Sequence, residues 1–301
     1  MDIIMVKPLS KLQIIGVRYI NEKYCPGNII PLDIFAKSGV YESAQVPYKI
    51  VEPFLEGSIL TDDEVQNIGN LGGLIADKIS SARKNSSAIL MTGGNCCHST
   101  GVVGGLQDAH GPNTRIGLVW FDAHGDYNTN KTSISGMLGG MPVAVAAGLT
   151  HANWREASHI VSPLSSDRIV LVDVRNLDLA EENLIRATDT VIASIAPGFS
   201  GDTPLKDAVE YLTDRVDLIY FHIDSDILDE VYTPNHWTKE PNGPNMAQVK
   251  SAIQTVMATG KVAAFAVVSV PGEGDGSEIM IESGMELIRE GLSAWTKYGM
   301  A

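Results

Sequence analysis

Two apolar, β-branched runs, 116–121 and 218–223, each end directly in acids spaced two residues apart. Asp122, His124 and Asp126 follow the first, and Asp224 and Asp226 follow the second. In an extended strand, side chains at i, i+2 and i+4 project from one face. The spacing therefore predicts two buried strands that bring four carboxylates and an imidazole into one space. So many like charges repel severely in a low dielectric unless cations neutralise them. Carboxylates with one imidazole suit Mn²⁺ or a similar divalent ion. Five such donors exceed one ordinary site and suit two metals that share bridging carboxylates. The expectation is a binuclear metallohydrolase.

Further apolar runs at 3–6, 49–54, 88–92, 169–174, 190–193 and 262–270 alternate with amphipathic stretches at 62–83, 138–147, 179–187, 203–213, 245–258 and 283–294. Such alternation reads as βα units around a parallel sheet. The strands are almost wholly hydrophobic, as strands covered by helices on both faces should be. No repeat, low-complexity tract or linker divides the chain, so 1–301 is read as a single domain. Active sites of open α/β sheets lie beyond the carboxyl ends of the strands, where the acidic motifs fall. A formal charge of −14 argues against nucleic acid or an anionic membrane as partner. No run is long enough to span a membrane, and the opening MDIIMVKPLSK lacks the layout of a secretion signal. Three cysteines, two of them adjacent, make no disulfide framework, and the cytoplasm is the expected compartment.

Together the motifs resemble the ureohydrolase family of arginase and agmatinase. The family pattern D-A-H-x-D stands as Asp122-Ala123-His124-Gly125-Asp126, and D-x-D-x-x-D as Asp224-Ser225-Asp226-Ile227-Leu228-Asp229. The resemblance implies a three-layer α/β/α arginase-like fold with about eight parallel strands. It also implies that Asp122 and Asp224 bridge two ions, that Asp126 binds the first, and that His124 and Asp226 bind the second. The reaction would be hydrolysis of a guanidino or amidino carbon–nitrogen bond in a small molecule, releasing urea or a substituted urea. Asp229, three residues past Asp226, is a candidate proton relay or else a turn acid. Asn128, Ser135, Asp178 (with Glu181 three further on) and Thr238 correspond to positions that contact substrate in the arginase branch. A homo-oligomer, trimer or hexamer, is the family's usual assembly.

Three departures put the substrate and the metal in question. The family's G-G-D-H-S, whose histidine is a ligand, stands as Gly93-Gly94-Asn95-Cys96-Cys97-His98-Ser99. Strict register puts Cys96 at the ligand position; His98 serves only if the turn winds differently. A thiolate shifts preference from Mn²⁺ towards Zn²⁺, Fe²⁺ or Co²⁺. An N-hydroxyarginine amidinohydrolase branch of the family also carries cysteine there. Gly139 replaces a proton-shuttling histidine, for which His236 is the candidate substitute. Ser269 stands where a glutamate pairs with the guanidinium, leaving Glu273 to reach back across a glycine-rich turn or to be an exposed loop acid. A formimino or other amidine hydrolase, or an inactive metal-binding homologue, is the alternative reading.

Overall fold

The computed structural model describes residues 7–300; the run at 3–6 lies outside them. Strand β1 (Leu12–Val17) leads into a hairpin of β2 (Tyr19–Ile20) and β3 (Lys23–Tyr24), then helix α1 (Leu32–Ser38), β4 (Tyr48–Val51) and α2 (Glu64–Lys84). After these come β5 (Ala88–Gly93), α3 (Ser99–His110), β6 (Ile116–Phe121), α4 (Pro142–Ala146), α5 (Ala152–Ala157) and β7 (Ile169–Val172). The chain continues with α6 (Leu179–Arg186), β8 (Val191–Ser194), β9 (Thr203–Pro204), α7 (Leu205–Thr213) and β10 (Leu218–Asp224). It ends with α8 (Met246–Met257), β11 (Val262–Val268) and α9 (Ser277–Tyr298). Nine strands form one parallel sheet in the order β4-β1-β5-β11-β10-β6-β7-β8-β9.

Strand alternation divides the core. Val119 and Phe121 of β6 face a layer made by α1, α7, α8 and α9, whereas Leu118 and Trp120 face α2, α3, α4 and α6. The second layer packs unusually close because α3 is rich in glycine. A Cβ on Gly101 would stand 2.5 Å from the Gly72 carbonyl of α2, and one on Gly104 would stand 1.8 Å from the Ser158 carbonyl. Those glycines explain why no helix is expected at 99–110 from sequence: they weaken helix propensity but permit the contact. The stretch at 138–147 is interrupted before Pro142, which opens α4 instead of continuing one helix. Three expected strands are shorter than their apolar runs; β4 stops at Val51, two residues before Pro53. β7 stops before Asp173 (φ 59°) and β11 before Ser269 (φ 57°), where left-handed residues turn the chain out of the sheet.

Candidate metal centre

The carboxyl ends of the four central strands β5, β11, β10 and β6 open into one cavity of about 580 Å³. The acids do not reach it by simple pleat alternation. β6 ends at Phe121, and the following loop winds so that Asp126 has a φ of 47°. Asp226 sits in a 3₁₀ turn, Ser225–Ile227, whose amide at 226 donates to Asp224 Oδ1 at 3.0 Å. The donors nevertheless converge. Cys96 with Asp122 and Asp126, Asp122 with His124 and Asp226, and Asp224 with Asp226 and His236 each place three ligand atoms within 4.8 Å of one another.

Each donor is fixed by neighbours. Trp120 Nε1 donates to Asp122 Oδ2 (3.1 Å), and the His124 amide donates to Oδ1 (2.7 Å). The Ala123 amide and Thr238 Oγ1 hold the two oxygens of Asp226 at 3.1 and 3.2 Å. His124 Nδ1 lies 3.3 Å from Asp122 and 3.1 Å from Asp226, while its Nε2 meets Glu240 at 3.2 Å. Cys96 Sγ stands 3.0 Å from Asp224 Oδ2 and 3.6 Å from Asp122 Oδ2. His98 turns away: Asn95 N donates to its Nδ1, and its Nε2 bonds the Asn21 carbonyl at 2.8 Å.

The charge balance asks for cations. Burial, reinforced by mutual repulsion, pushes Asp122 and Asp126 well above the usual carboxylate range. Burial also lifts the Cys96 thiol, and Asp224, Asp126 and Asp122 lift it further. Burial opposes protonation of His236, yet Asp224 and Asp226 bring it up to about 9. For His124 too, bonds to Asp122 and Asp226 overcome burial and raise it. Two buried atoms of the donor cluster have no hydrogen-bond partner: Asp126 Oδ2 and His236 Nε2, the latter near Asp224 but not aligned for a bond. Oxygen, nitrogen and sulfur donors in excess of their protons, with orphaned atoms among them, fit divalent metals.

Among the other expected residues, Asn128, Ser135, Asp178, Thr238, His236 and Ser269 line the cavity. Asn128 Nδ2 donates to Asp178 Oδ2 at 3.2 Å, and Asp178 forms a capping box with Glu181 at the start of α6. Gly139 also lines the wall, and a side chain there would meet only Asn95, at 4.0 Å. Two expected residues are not on this wall. Asp229 accepts the Val231 and Gly243 amides, which makes it a turn acid. Glu273 is exposed in the loop before α9. Three residues that sequence reasoning missed support the donors: Glu240, His222 and Arg175. Arg175 ties down the carbonyls of Asp226, Ile227, Leu228, Glu240 and Pro241 and pairs with Asp173. Only Arg175 carried a readable signal, as an arginine just past an apolar strand.

The model of the arginase family matches residues 40–293. The chain belongs to that family. Its relatives include the arginase of Staphylococcus aureus (strain MSSA476), 24% identical over 86% of this chain and 83% of that one. The arginase of Bacillus caldovelox is 30% identical over 48% of each chain. Among solved structures, Bacillus cereus arginase aligns with TM-score 0.79 at 20% identity, covering 94% of this chain and 98% of that one. Formimidoylglutamase of Bacillus subtilis aligns with TM-score 0.69 at 14% identity, covering 96% and 88%. This arginase-family fold has nine parallel strands where about eight are expected; β1 and β9 are the unforeseen ones, β9 taking the first two residues of the stretch 203–213 expected to be helical. Members of the family are hydrolases of carbon–nitrogen bonds, other than peptide bonds, in linear amidines, and typically depend on two Mn²⁺ ions. Among the described residues, no helix is long and apolar enough to cross a membrane.

Proposed function

We propose that this arginase-family chain is a binuclear metal-dependent hydrolase of a guanidino or amidino carbon–nitrogen bond in a small molecule, releasing urea or a substituted urea. The observation that carries the reading is the convergence of buried donor groups, with the orphaned Asp126 Oδ2 among them, at the carboxyl ends of the central strands. Cys96, Asp122, Asp126 and Asp224 would hold one ion, and Asp122, His124, Asp224 and Asp226 the other. Bound there, two divalent cations neutralise the acids and activate water towards a planar amidine carbon.

The protein's own groups then bind and protonate. Thr238 keeps Asp226 oriented through its hydroxyl. Asn128, Ser135 and Asp178 form the polar wall that receives the substrate's tail. His236, buried beside Asp224, holds the proton for the departing amine. Cys96 favours Zn²⁺, Fe²⁺ or Co²⁺ alongside Mn²⁺ and aligns the chain with the N-hydroxyarginine amidinohydrolase branch. Assembly as a trimer or hexamer and a cytoplasmic site of action complete the proposal. A second reading, hydrolysis of a formimino or other amidine, is favoured by Ser269, which puts a hydroxyl on the cavity wall at the position where the family's glutamate pairs with a guanidinium. A panel of guanidino and amidino compounds, scored for urea, formamide and ammonia with Mn²⁺- and Co²⁺-loaded protein, separates the two. Turnover of none would refute both.

A further inference from the structure

Beneath the donor cluster lies a second layer of side chains that the chemistry above does not use. Trp120 and His222 are directly opposed in the β6–β10 register, and each sits two residues before a ligand, Asp122 or Asp224. Strand alternation therefore places both rings under the metal site on the same face. They are fully buried and stacked, with centroids 3.6 Å apart and planes 7° apart. Tyr220, two residues earlier again, bonds its hydroxyl to His222 Nδ1 at 2.7 Å. The buried Tyr220 hydroxyl has no other hydrogen-bond partner among the described residues, so its single proton goes to Nδ1. The imidazole proton is then on Nε2, which points at Cys96 Sγ 3.3 Å away.

We infer that His222 is a positioning residue matched to Cys96: it donates Nε2–H to the sulfur, holds it at the metal corner, and fills the space a bulkier ligand would need. This rests on the metal-centre reading above. Two observations and one chemical principle support the match. The ring is locked from one side by Trp120 and from its far end by Tyr220, so it cannot swing away. Sγ already touches His222, Asp224 and Asp122 at 3.0 to 3.6 Å, so an imidazole at position 96 has no room beside His222. And a hydrogen bond donated to sulfur favours a thiolate ligand, which selects borderline metals over Mn²⁺. Cysteine at 96 and histidine at 222 are thus one substitution written at two positions.

The test uses the full chain loaded with Co²⁺ or Mn²⁺. Wild type should bind two equivalents and show sulfur-to-cobalt charge-transfer absorption in the near ultraviolet. His222→Gln, which keeps an N–H donor, should retain that band. His222→Ala should shift it and weaken first-site affinity by about 10- to 100-fold. Cys96→His alone should lose the first metal or fail to fold, whereas Cys96→His with His222→Ala should fold, bind two equivalents and prefer Mn²⁺. The pairing is overturned if Cys96→His alone binds both metals as tightly as the double variant, or if His222→Ala leaves spectrum and affinity unchanged. Asp122→Asn is the control for the underlying reading: if it too keeps both metals, the metal-centre reading has failed and not merely the pairing.

Discussion

Replacing Arg175 with Met should cost both stability and metal. The guanidinium is 12% exposed and its partner Asp173 is fully buried, 3.2 Å away. Nη2 donates to the carbonyls of Asp226 (2.8 Å), Leu228 (3.2 Å) and Glu240 (3.2 Å), Nη1 to Ile227 (3.2 Å), and Nε to Pro241 (3.1 Å). Met fills much of the volume but leaves Asp173 as a buried, unpaired carboxylate and frees five carbonyls. Removing one member of a buried pair costs about 3–5 kcal/mol. The carbonyls add less than their number suggests, because the opened loop lets water reach them. Arg175→Lys keeps the charge but offers three donors where six acceptors wait, and should recover about half of the loss. The same residue ties the turn that carries Asp226 to the loop that carries Glu240, the partner of His124. Urea denaturation of the metal-free protein gives the stability term, and metal analysis after gel filtration gives occupancy. A loss below about 1 kcal/mol with both metals retained would refute the reasoning, since a freely exposed arginine behaves that way.

Other outcomes follow from the same geometry. Glu240→Gln preserves an acceptor for Asn176 but removes the carboxylate from His124 Nε2, and should weaken second-metal affinity about 10- to 100-fold by competition titration. Glu273→Gln should leave kcat/KM unchanged on whatever substrate the panel identifies, because the residue is exposed away from the cavity wall; a tenfold loss would place it back in the mechanism. Burial lowers His98 to about 4 from an ordinary 6.5, so the unfolded chain binds more protons between those values. Its contribution is complete above pH 6.5 and drains as the pH falls towards 4, by about 3 kcal/mol at 1.36 kcal/mol per unit. Urea midpoints between pH 4 and 7 should show that component in the metal-free wild type and lack it in His98→Gln.

Much of the fold was legible because buried parallel strands announce themselves as short apolar runs. The acids at their ends were legible because Asp122 and Asp224 follow those runs without a break. Local backbone turns were not. Asp126 reaches the cluster through a left-handed residue, which alternation cannot foresee. α3 was hidden by glycines whose purpose, close contact with α2 and the 158 carbonyl, exists only in three dimensions. Glu240 and Arg175 act through contacts 64 to 116 residues away along the chain with His124, Asn176 and the Glu240–Pro241 backbone, and no spacing rule reports such partners. His222 reads as part of an apolar run, and its 3.3 Å contact with Cys96, 126 residues away along the chain, leaves no trace in the spacing.

The most direct test is the number of metal ions bound per chain, measured by titration and elemental analysis alongside turnover. Two ions in the wild type, with Asp122→Asn and Asp224→Asn each holding at most one and turning over no guanidino or amidino compound, is the result expected of carboxylates that bridge. Either variant retaining two ions and near-normal turnover, or a wild type that binds none, would contradict it.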